Sequence, residues 1–436
     1  MSRSVRSLAV SLVLAAASPA FAQNRVDMVS PLAPELSAFG PFAVGVRTVL
    51  VTDRDRPDIL NTKPGGPTAR YDRNLTVEVW YPATLSPGQA PRGDYPLVVT
   101  RDPSLTVTLH GRAVRDAAPR PVEGGYPLII VSHGYPGNRF LLSHLTESLA
   151  SKGYVVASID HKDSTYDDQK AFSSTLYHRP FDVLAVLNEL ERASRTEKAA
   201  VWAGLIDTTR TGVVGYSMGG YGVVNLIGGG FAKGAESREG APPNRLLAER
   251  LASNPDFARS TDPRLKAAIA IAPWGMQLGL WDAEGLKGIT TPTLFVAGSA
   301  DDVSEYEKGT RAIFLAATNA DRYLLTFLGA GHNAGAPIPA PEETYGRPPA
   351  FAHYADPVWD TVRMNNILDH FATAFFDERL KGDAGKHAYL DVIPNGKDGV
   401  FAKNKEGEPL PAHTYWKGFE RKTAVGLVLE RLAPSR

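Results

Sequence analysis

The 436-residue sequence predicts an α/β fold, in which helices cover both faces of a mostly parallel central sheet. Continuous apolar runs that stop at glycine or at a polar residue recur along the chain, as expected for strands that are buried on both faces. Segments with apolar residues at helical spacing lie between these runs. Strands that alternate with helices in this way are typical of a parallel sheet with crossover helices.

The predicted elements follow one another along the whole chain. Two β-rich segments, 41–52 and 74–81, come first, and the second alternates apolar and polar residues as a half-buried strand does. Six buried strands are then predicted, at 127–134, 154–160, 211–217, 265–273, 291–301 and 321–332. Helices are predicted at 140–152, 179–193, from 219 onward, and at 357–380.

The mature chain, residues 23–436, is predicted to form a single domain. Two stretches rich in Gly, Pro and Arg, near 82–125 and 234–262, are predicted to be insertions, and the first contains a possible strand pair around 96–110. The tail, 383–436, is polar before it ends in an apolar run, and it has no predicted role.

Residues 1–22 have the pattern of a secretory signal peptide. Arg3 and Arg6 precede a short apolar stretch at 8–17, and Ala20-Phe21-Ala22 supplies an A-x-A cleavage site. The apolar stretch is too short to span a membrane, and no later run reaches about 18 uninterrupted apolar residues. We therefore expect an exported protein, periplasmic or secreted, without a membrane span.

Composition excludes several kinds of site and partner. The 47 Lys and Arg residues balance 47 Asp and Glu residues, and no basic stripe indicates a nucleic-acid partner. The chain has no cysteine, which excludes disulfides, cysteine nucleophiles and thiolate metal sites. Metal, P-loop and dinucleotide motifs are absent, and Asp160 and Asp163 of IDHKD are predicted to fix a loop. The sequence therefore predicts no metal and no organic cofactor, and it does not specify the oligomeric state.

The segment Gly215-Tyr216-Ser217-Met218-Gly219 fits the pattern G-x-S-x-G. Five-residue patterns recur by chance, but this one lies at the carboxyl end of a buried strand and at the start of a helix. Catalytic groups of open α/β sheets cluster at that edge. We therefore predict that Ser217 is a nucleophile rather than a turn residue.

A serine nucleophile needs a base, and the base needs an acid that orients it. After a strand–turn–helix motif of this kind, the acid and then the histidine follow along the chain. Asp301 and Asp302 follow a later strand; Asp301 is preferred by its spacing from the strand glycine, and Asp302 is predicted to be a solvated neighbour. His332, in a glycine-flanked loop after the next strand, is the predicted base.

Two backbone N–H groups are expected to stabilise the oxyanion of the tetrahedral intermediate. The predicted donors are Met218, which follows the nucleophile, and Tyr135, in the loop after an earlier strand, whose ring would line the pocket. His133 is predicted to support that loop by hydrogen bonding, and His353 and His370 are assigned to solvation or capping.

Several segments resemble known enzymes. SHGYPGNRFLLSHLTESLASKGYVVASIDHKDS, the Ser217 motif, RPFDVLAVLNEL and FAVGVRTVLVTD…LTVEVWYPA resemble bacterial relatives of platelet-activating-factor acetylhydrolase, within the dienelactone-hydrolase-like α/β-hydrolases. The run AIAPWG…TPTLFVAGSADD…GAGH is similar to that of cutinase-type polyester hydrolases. Together these segments cover residues 41–332.

The resemblance implies an α/β-hydrolase fold and the hydrolysis of carboxylic esters. It implies a catalytic triad, two oxyanion donors and an aromatic residue on the acyl or alcohol side of the cleft. The implied triad is Ser217, Asp301 and His332. The implied oxyanion donors are Tyr135 and Met218, and the implied aromatic residue is Trp274. Three features depart from the families: the nucleophile is not cysteine, the two insertions are larger than in cutinases, and PAPEETYGRPPAF is unlike either group.

We expect a serine carboxylic-ester hydrolase that acts through an acyl-enzyme on a small-molecule substrate, a short or compact ester. A serine peptidase or amidase that acts on small acyl-peptides would use the same triad. The absence of an N-terminal domain long enough to form a propeller argues against an oligopeptidase. A polyester hydrolase also stays open, although the insertions argue against an open polymer-binding groove. A catalytically inactive surface-binding protein is disfavoured by the complete set of Ser, Asp and His.

Overall fold

The computed structural model describes residues 24–195 and 201–435, so the predicted signal peptide lies outside the described residues. The strands are β1 Ala43–Pro57, β2 Arg70–Thr84, β3 Gly93–Val99, β4 Thr106–Gly111, β5 Val114–Arg115, β6 Ala118–Pro119, β7 Tyr126–Ser132, β8 Val155–Asp160, β9 Ile206–Tyr216, β10 Leu265–Ile271, β11 Thr293–Gly298, β12 Arg322–Phe327 and β13 Leu427–Leu432. The α-helices are α1 Ser143–Ser151, α2 Phe172–Arg195, α3 Met218–Leu226, α4 Pro255–Ala258, α5 Ala283–Leu286, α6 Arg311–Ala316, α7 Pro348–Ala352 and α8 Thr361–Lys381. No helix in this part of the chain is long and apolar enough to cross a membrane.

One large sheet organises the molecule, in the order β13-β12-β11-β10-β9-β7-β8-β2-β1-β5, with β6 paired to β2. Six neighbouring strands of this sheet are parallel, namely β12, β11, β10, β9, β7 and β8. The pairs β1–β2, β2–β8 and β12–β13 are antiparallel. The carboxyl ends of the parallel strands therefore meet at one edge, where loops of distant sequence come together.

Helices cover both faces of this sheet, which confirms the predicted fold class. Successive residues of a strand point to opposite faces. Leu128 and Ile130 of β7 pack in the core that contains residues of α2 and α3, whereas Ile129 and Val131 pack in the core that contains residues of α1 and α8. Both faces of β7 are fully buried, as its continuous apolar sequence predicts.

Three segments differ from the sequence-based expectation or add to it. The insertion at 82–125 contains a hairpin, β3–β4, close to the predicted strand pair. The helix predicted at 179–193 begins earlier, at Phe172, and continues through Pro180. The tail supplies β13, which pairs with β12 and extends the sheet at that end. The end of the tail therefore belongs to the sheet.

Glu147, on α1, is a buried carboxyl group beneath the β3–β4 hairpin. It accepts hydrogen bonds from the Tyr95 hydroxyl and from the amides of Arg112 and Ala113, the two amides at 2.8 and 3.1 Å. Burial raises the pKa of Glu147 to about 7, because these hydrogen bonds offset only part of the desolvation of the charged form. The folded protein therefore holds a proton at Glu147 at a pH where an unfolded chain loses it.

We expect Glu147→Gln to flatten the pH dependence of stability between about pH 4.5 and 7. In the wild type, the contribution of the raised pKa is fully present below the unfolded pKa and is lost as the pH rises through the folded pKa. That loss is on the order of 3 kcal/mol, because each pKa unit corresponds to about 1.4 kcal/mol. Urea unfolding of both proteins at several pH values measures it. Equal pH slopes in the two proteins would contradict the assignment to Glu147.

Candidate active site

Ser217 lies on a sharp turn between β9 and α3. Its backbone has φ 53° and ψ −111°, a conformation that few non-glycine residues adopt. Its amide donates to the Ile271 carbonyl at 2.8 Å, and its carbonyl accepts from the amides of Tyr221 and Trp274 at 2.9 and 3.2 Å. These backbone hydrogen bonds hold the strained residue in place.

The two glycines of the G-x-S-x-G pattern are required by close backbone contacts. A Cβ at Gly215 would lie 2.2 Å from the Gly219 carbonyl oxygen, and a Cβ at Gly219 would lie 2.0 Å from the Ser132 carbonyl oxygen. Either side chain would force the strand and the helix apart. The local sequence therefore permits the turn that presents Ser217 at the sheet edge.

The structure brings Ser217, His332 and Asp301 into one hydrogen-bonded chain. Ser217 Oγ lies 2.9 Å from His332 Nε2, and His332 Nδ1 lies 3.0 Å from each oxygen of Asp301. With its proton on Nδ1, His332 donates to Asp301 and leaves Nε2 to accept the Ser217 proton. This is the geometry that a serine nucleophile, a base and an orienting acid require.

Asp301 is buried and remains ionised. Burial acts to raise its pKa, but the hydrogen bond and charge of His332 and the amides of Ser304 and Val303 outweigh burial, so the pKa lies below its ordinary value. Those amides donate to Oδ1 at 3.0 and 2.9 Å. Asp302 is exposed and has no part in this hydrogen-bonded chain.

The two predicted oxyanion donors lie beside Ser217. Met218 is the first residue of α3, so its N–H has no acceptor within the helix. A Cβ placed on Gly134, next to Tyr135, would lie 3.5 Å from Ser217 Cβ, which places that loop against the nucleophile. Within the described residues neither the Tyr135 nor the Met218 amide donates to another backbone group. Both are available to a substrate oxygen.

Arg179, which the sequence did not single out, supports the loop that carries Tyr135. It is fully buried on α2, and it donates to the carbonyls of His133 and Gly134 and to Ser164 Oγ. Burial lowers the pKa of Arg179 to about 9. Its guanidinium thus fixes two successive carbonyls of the loop, and their adjoining amides are thereby oriented.

His133 supports the same loop from its interior. Its Nε2 accepts from the His161 amide at 3.2 Å, and its Nδ1 lies 2.7 Å from the Gly134 carbonyl oxygen, to which it donates. Burial holds its pKa well below the ordinary value, so the ring is neutral. The other predicted loop-fixing residues behave similarly: Asp160 pairs with Arg139 and Asp163 with Arg73. No cluster of three or more potential metal ligands occurs among the described residues.

A cleft of about 530 Å³ opens above the serine and the histidine. One wall is the segment 349–357, which follows the predicted base in the chain. Asn333 donates to the carbonyls of Ala352 and Ala355 at 2.9 and 2.8 Å, and Asp356 accepts from the Gly331 amide at 2.7 Å. These contacts fasten the wall to the histidine loop.

The two histidines assigned to solvation or capping make long-range contacts, and one of them departs from that assignment. His353 stands at the C-cap of α7, as the capping alternative expects, and it also lines the cleft, with Nε2 2.7 Å from the Tyr166 hydroxyl. His370 is buried on α8, where Nδ1 accepts from the Leu36 amide at 3.1 Å, so it fixes the N-terminal segment. Neither long-range hydrogen bond has a local sequence signal, because each partner lies more than 180 positions away.

Trp274 is not among the residues that line this cleft. It is half-buried, and its ring packs edge-on against Phe172 at 5.2 Å and against Tyr221 at 6.4 Å between centroids. Phe172 packs in turn against Tyr135 at 5.1 Å. Trp274 is therefore one ring removed from Tyr135, which does line the cleft.

We expect Trp274→Ala to lower the free energy of unfolding by about 2–4 kcal/mol, because it removes the packing against Phe172 and Tyr221. The relative kcat/KM of small and bulky esters should change less than about threefold, since the cleft itself is intact. Urea unfolding and an ester series on the same variant measure both quantities. Unchanged stability with a tenfold or larger change in ester ranking would instead place Trp274 in the substrate site.

Comparisons with known proteins show what this chain is similar to. The family model described as platelet-activating factor acetylhydrolase, isoform II, matches residues 94–179. A bis(hydroxyethyl) terephthalate hydrolase of Streptomyces coelicolor is 27% identical over 51% of this chain and 54% of that protein. Cutinase est2 of Thermobifida alba is 25% identical over 48% of this chain and 53% of that protein. The chain thus spans about half the length of these relatives.

A solved structure extends the likeness over most of the fold. The ferulic acid esterase from Streptomyces cinnamoneus superposes with a TM-score of 0.54 over 80% of this chain and 94% of that chain, at 23% identity. At that identity the likeness concerns the fold. The resemblances to acetylhydrolases and cutinases that the sequence predicts are confirmed.

Proposed function

We propose that this chain, which has the α/β-hydrolase fold and is similar to cutinases, is a serine carboxylic-ester hydrolase. The observation that carries the proposal is the hydrogen-bonded chain Ser217–His332–Asp301 at the base of the cleft. The names of the relatives support it, since each of those cited denotes an enzyme that acts on esters.

The proposed reaction has two stages. His332 Nε2 takes the proton from Ser217 Oγ as the oxygen attacks the ester carbonyl, and Asp301 stabilises the imidazolium. The amides of Tyr135 and Met218 donate to the oxyanion. His332 then gives its proton to the departing alcohol, which leaves an acyl-enzyme. In the second stage His332 activates a water molecule, which releases the acid and restores Ser217.

Short or compact esters fit the site best. The cleft has a volume of about 530 Å³, and the wall segment 349–357 and Arg101 of the β3–β4 loop line it beside Ser217, so its size suits a small substrate. The names of the relatives favour a second candidate, a polyester hydrolase. A peptidase or amidase on small acyl-peptides would use the same three residues. We further propose that residues 23–436 act as one domain, exported to the periplasm or secreted.

A panel of substrates distinguishes these candidates. The p-nitrophenyl esters of acetate, butyrate and octanoate are compared with an aminoacyl anilide and with a polyester film. We expect the highest kcat/KM for acetate or butyrate, a lower value for octanoate and negligible anilide cleavage. Dominant anilide cleavage would indicate a peptidase, soluble products from the film would favour the polymer candidate, and no release of nitrophenol would contradict the proposal.

A further inference from the structure

Arg101 is a charged side chain in the cleft that the proposed reaction does not use. It lies in the loop between β3 and β4, it is half-buried, and it lines the same cleft as Ser217 and His332. Among the described residues its guanidinium has no carboxylate within ion-pair distance and donates no hydrogen bond, although its backbone amide does. Its side-chain donors are therefore available to a ligand.

The backbone that carries Arg101 is fixed. The Arg101 amide donates to the Tyr354 hydroxyl at 3.1 Å, which ties the hairpin loop to the wall segment. The next residue, Asp102, pairs with Arg347, near the start of the same wall. Within the loop, the Thr100 amide donates to the Leu105 carbonyl at 3.0 Å. The guanidinium is thus presented from an anchored loop.

The other charges of the cleft leave Arg101 without a partner. Asp356 also lines it, but its two oxygens accept from the amides of Gly331, Val358 and Trp359 at 2.7 to 2.9 Å. Asp302 is exposed and forms no ion pair with Arg101. Burial lowers the pKa of His353 to about 3, with the charge of Arg101 as the next cause, so His353 is neutral. Among the described residues that line the cleft, the Arg101 guanidinium is therefore a cation without a carboxylate partner.

We propose that Arg101 binds a carboxylate carried by the ester substrate, so that the enzyme prefers anionic esters, such as monoesters of dicarboxylic acids, to neutral ones. A guanidinium presents a planar set of donors that matches a carboxylate in two parallel hydrogen bonds. The carboxylate is not consumed; it orients the ester over Ser217 while the ester bond is hydrolysed. This inference rests on the proposed ester hydrolysis and names its substrate class.

The test uses pairs of esters that differ in one charge and one methyl group. Mono-4-nitrophenyl glutarate and its methyl ester carry the carboxylate or its neutral form on the acyl side. 4-Butyryloxybenzoate and its methyl ester carry the carboxylate or its neutral form on the alcohol side. The values of kcat/KM are compared for the wild type, Arg101→Gln, Arg101→Lys and Arg92→Gln, a matched control at an exposed arginine before β3. Urea unfolding verifies that all four proteins are folded.

We expect Arg101→Gln to lower the anionic-to-neutral ratio of kcat/KM about 10- to 100-fold for at least one pair, with neutral esters changed less than about threefold. The pair that responds identifies the acyl or alcohol side. Arg101→Lys should retain part of the ratio, and Arg92→Gln should retain all of it. Added salt should reduce the ratio in the wild type more than in Arg101→Gln.

Two results would overturn the inference while leaving the proposed function intact. One is that both the wild type and Arg101→Gln hydrolyse neutral esters and have the same anionic-to-neutral ratio of kcat/KM. The other is an equal loss on neutral and anionic esters, which would make Arg101 a structural residue. A folded wild type that hydrolyses none of the four esters would instead contradict the proposed function.

Discussion

Replacing Ser217 with alanine should lower kcat for p-nitrophenyl butyrate by a factor on the order of 10⁶, because the three residues of a triad act as a unit. Without Oγ no acyl-enzyme forms, and His332 has no proton to take. The fold should persist, since the Ser217 hydroxyl has His332 as its hydrogen-bond partner whereas the turn is held by the backbone.

The control for this variant is Ser86→Ala, in the exposed turn after β2. Nitrophenol release and urea unfolding are measured on both variants. Ser86→Ala should match the wild type in both measurements. Substantial turnover by folded Ser217→Ala would remove Ser217 from the mechanism.

Asp301→Asn should lower kcat by about 10⁴-fold, because an amide no longer holds His332 in the tautomer with its proton on Nδ1. The Asp301 carboxylate accepts from that N–H and from two backbone amides, so it is already committed to orientation. Asp302→Asn is the matched control, one position along the chain and exposed, and it should change kcat less than about threefold. Reversed effects of the two substitutions would assign the acid to Asp302.

Much of the sheet could be predicted from the sequence because its central strands are buried on both faces. A short, continuous apolar run such as that of β7 indicates a strand that is buried on both faces. The first turns of α2 could not be predicted, because Pro180 ordinarily interrupts a helix. In this fold the burial of α2 against the sheet outweighs that local cost. Nor could the place of β13 be predicted, since pairing with β12 is a long-range event.

Some residues of the candidate site could likewise be predicted from the sequence, and others could not. Ser217, Asp301 and His332 could be found because each follows a recognisable strand in a fixed chain order. Arg179 and Arg101 could not, since each acts through contacts with distant segments. Arg101 is tied to Tyr354, 253 positions away, and no local pattern marks such a pair. The residues that line a cleft are brought together by tertiary packing, whereas a motif at the end of a strand is local in the sequence.

A covalent label tests the central claim, a nucleophilic Ser217, most directly. An organophosphonate is incubated with the wild type and with Ser217→Ala, and the adduct is located by peptide mass spectrometry. We expect one adduct, on the peptide that contains Ser217, with ester hydrolysis lost in proportion to labelling, and no adduct in Ser217→Ala. An adduct on another serine that abolishes hydrolysis, or full hydrolysis by a fully labelled protein, would contradict the account.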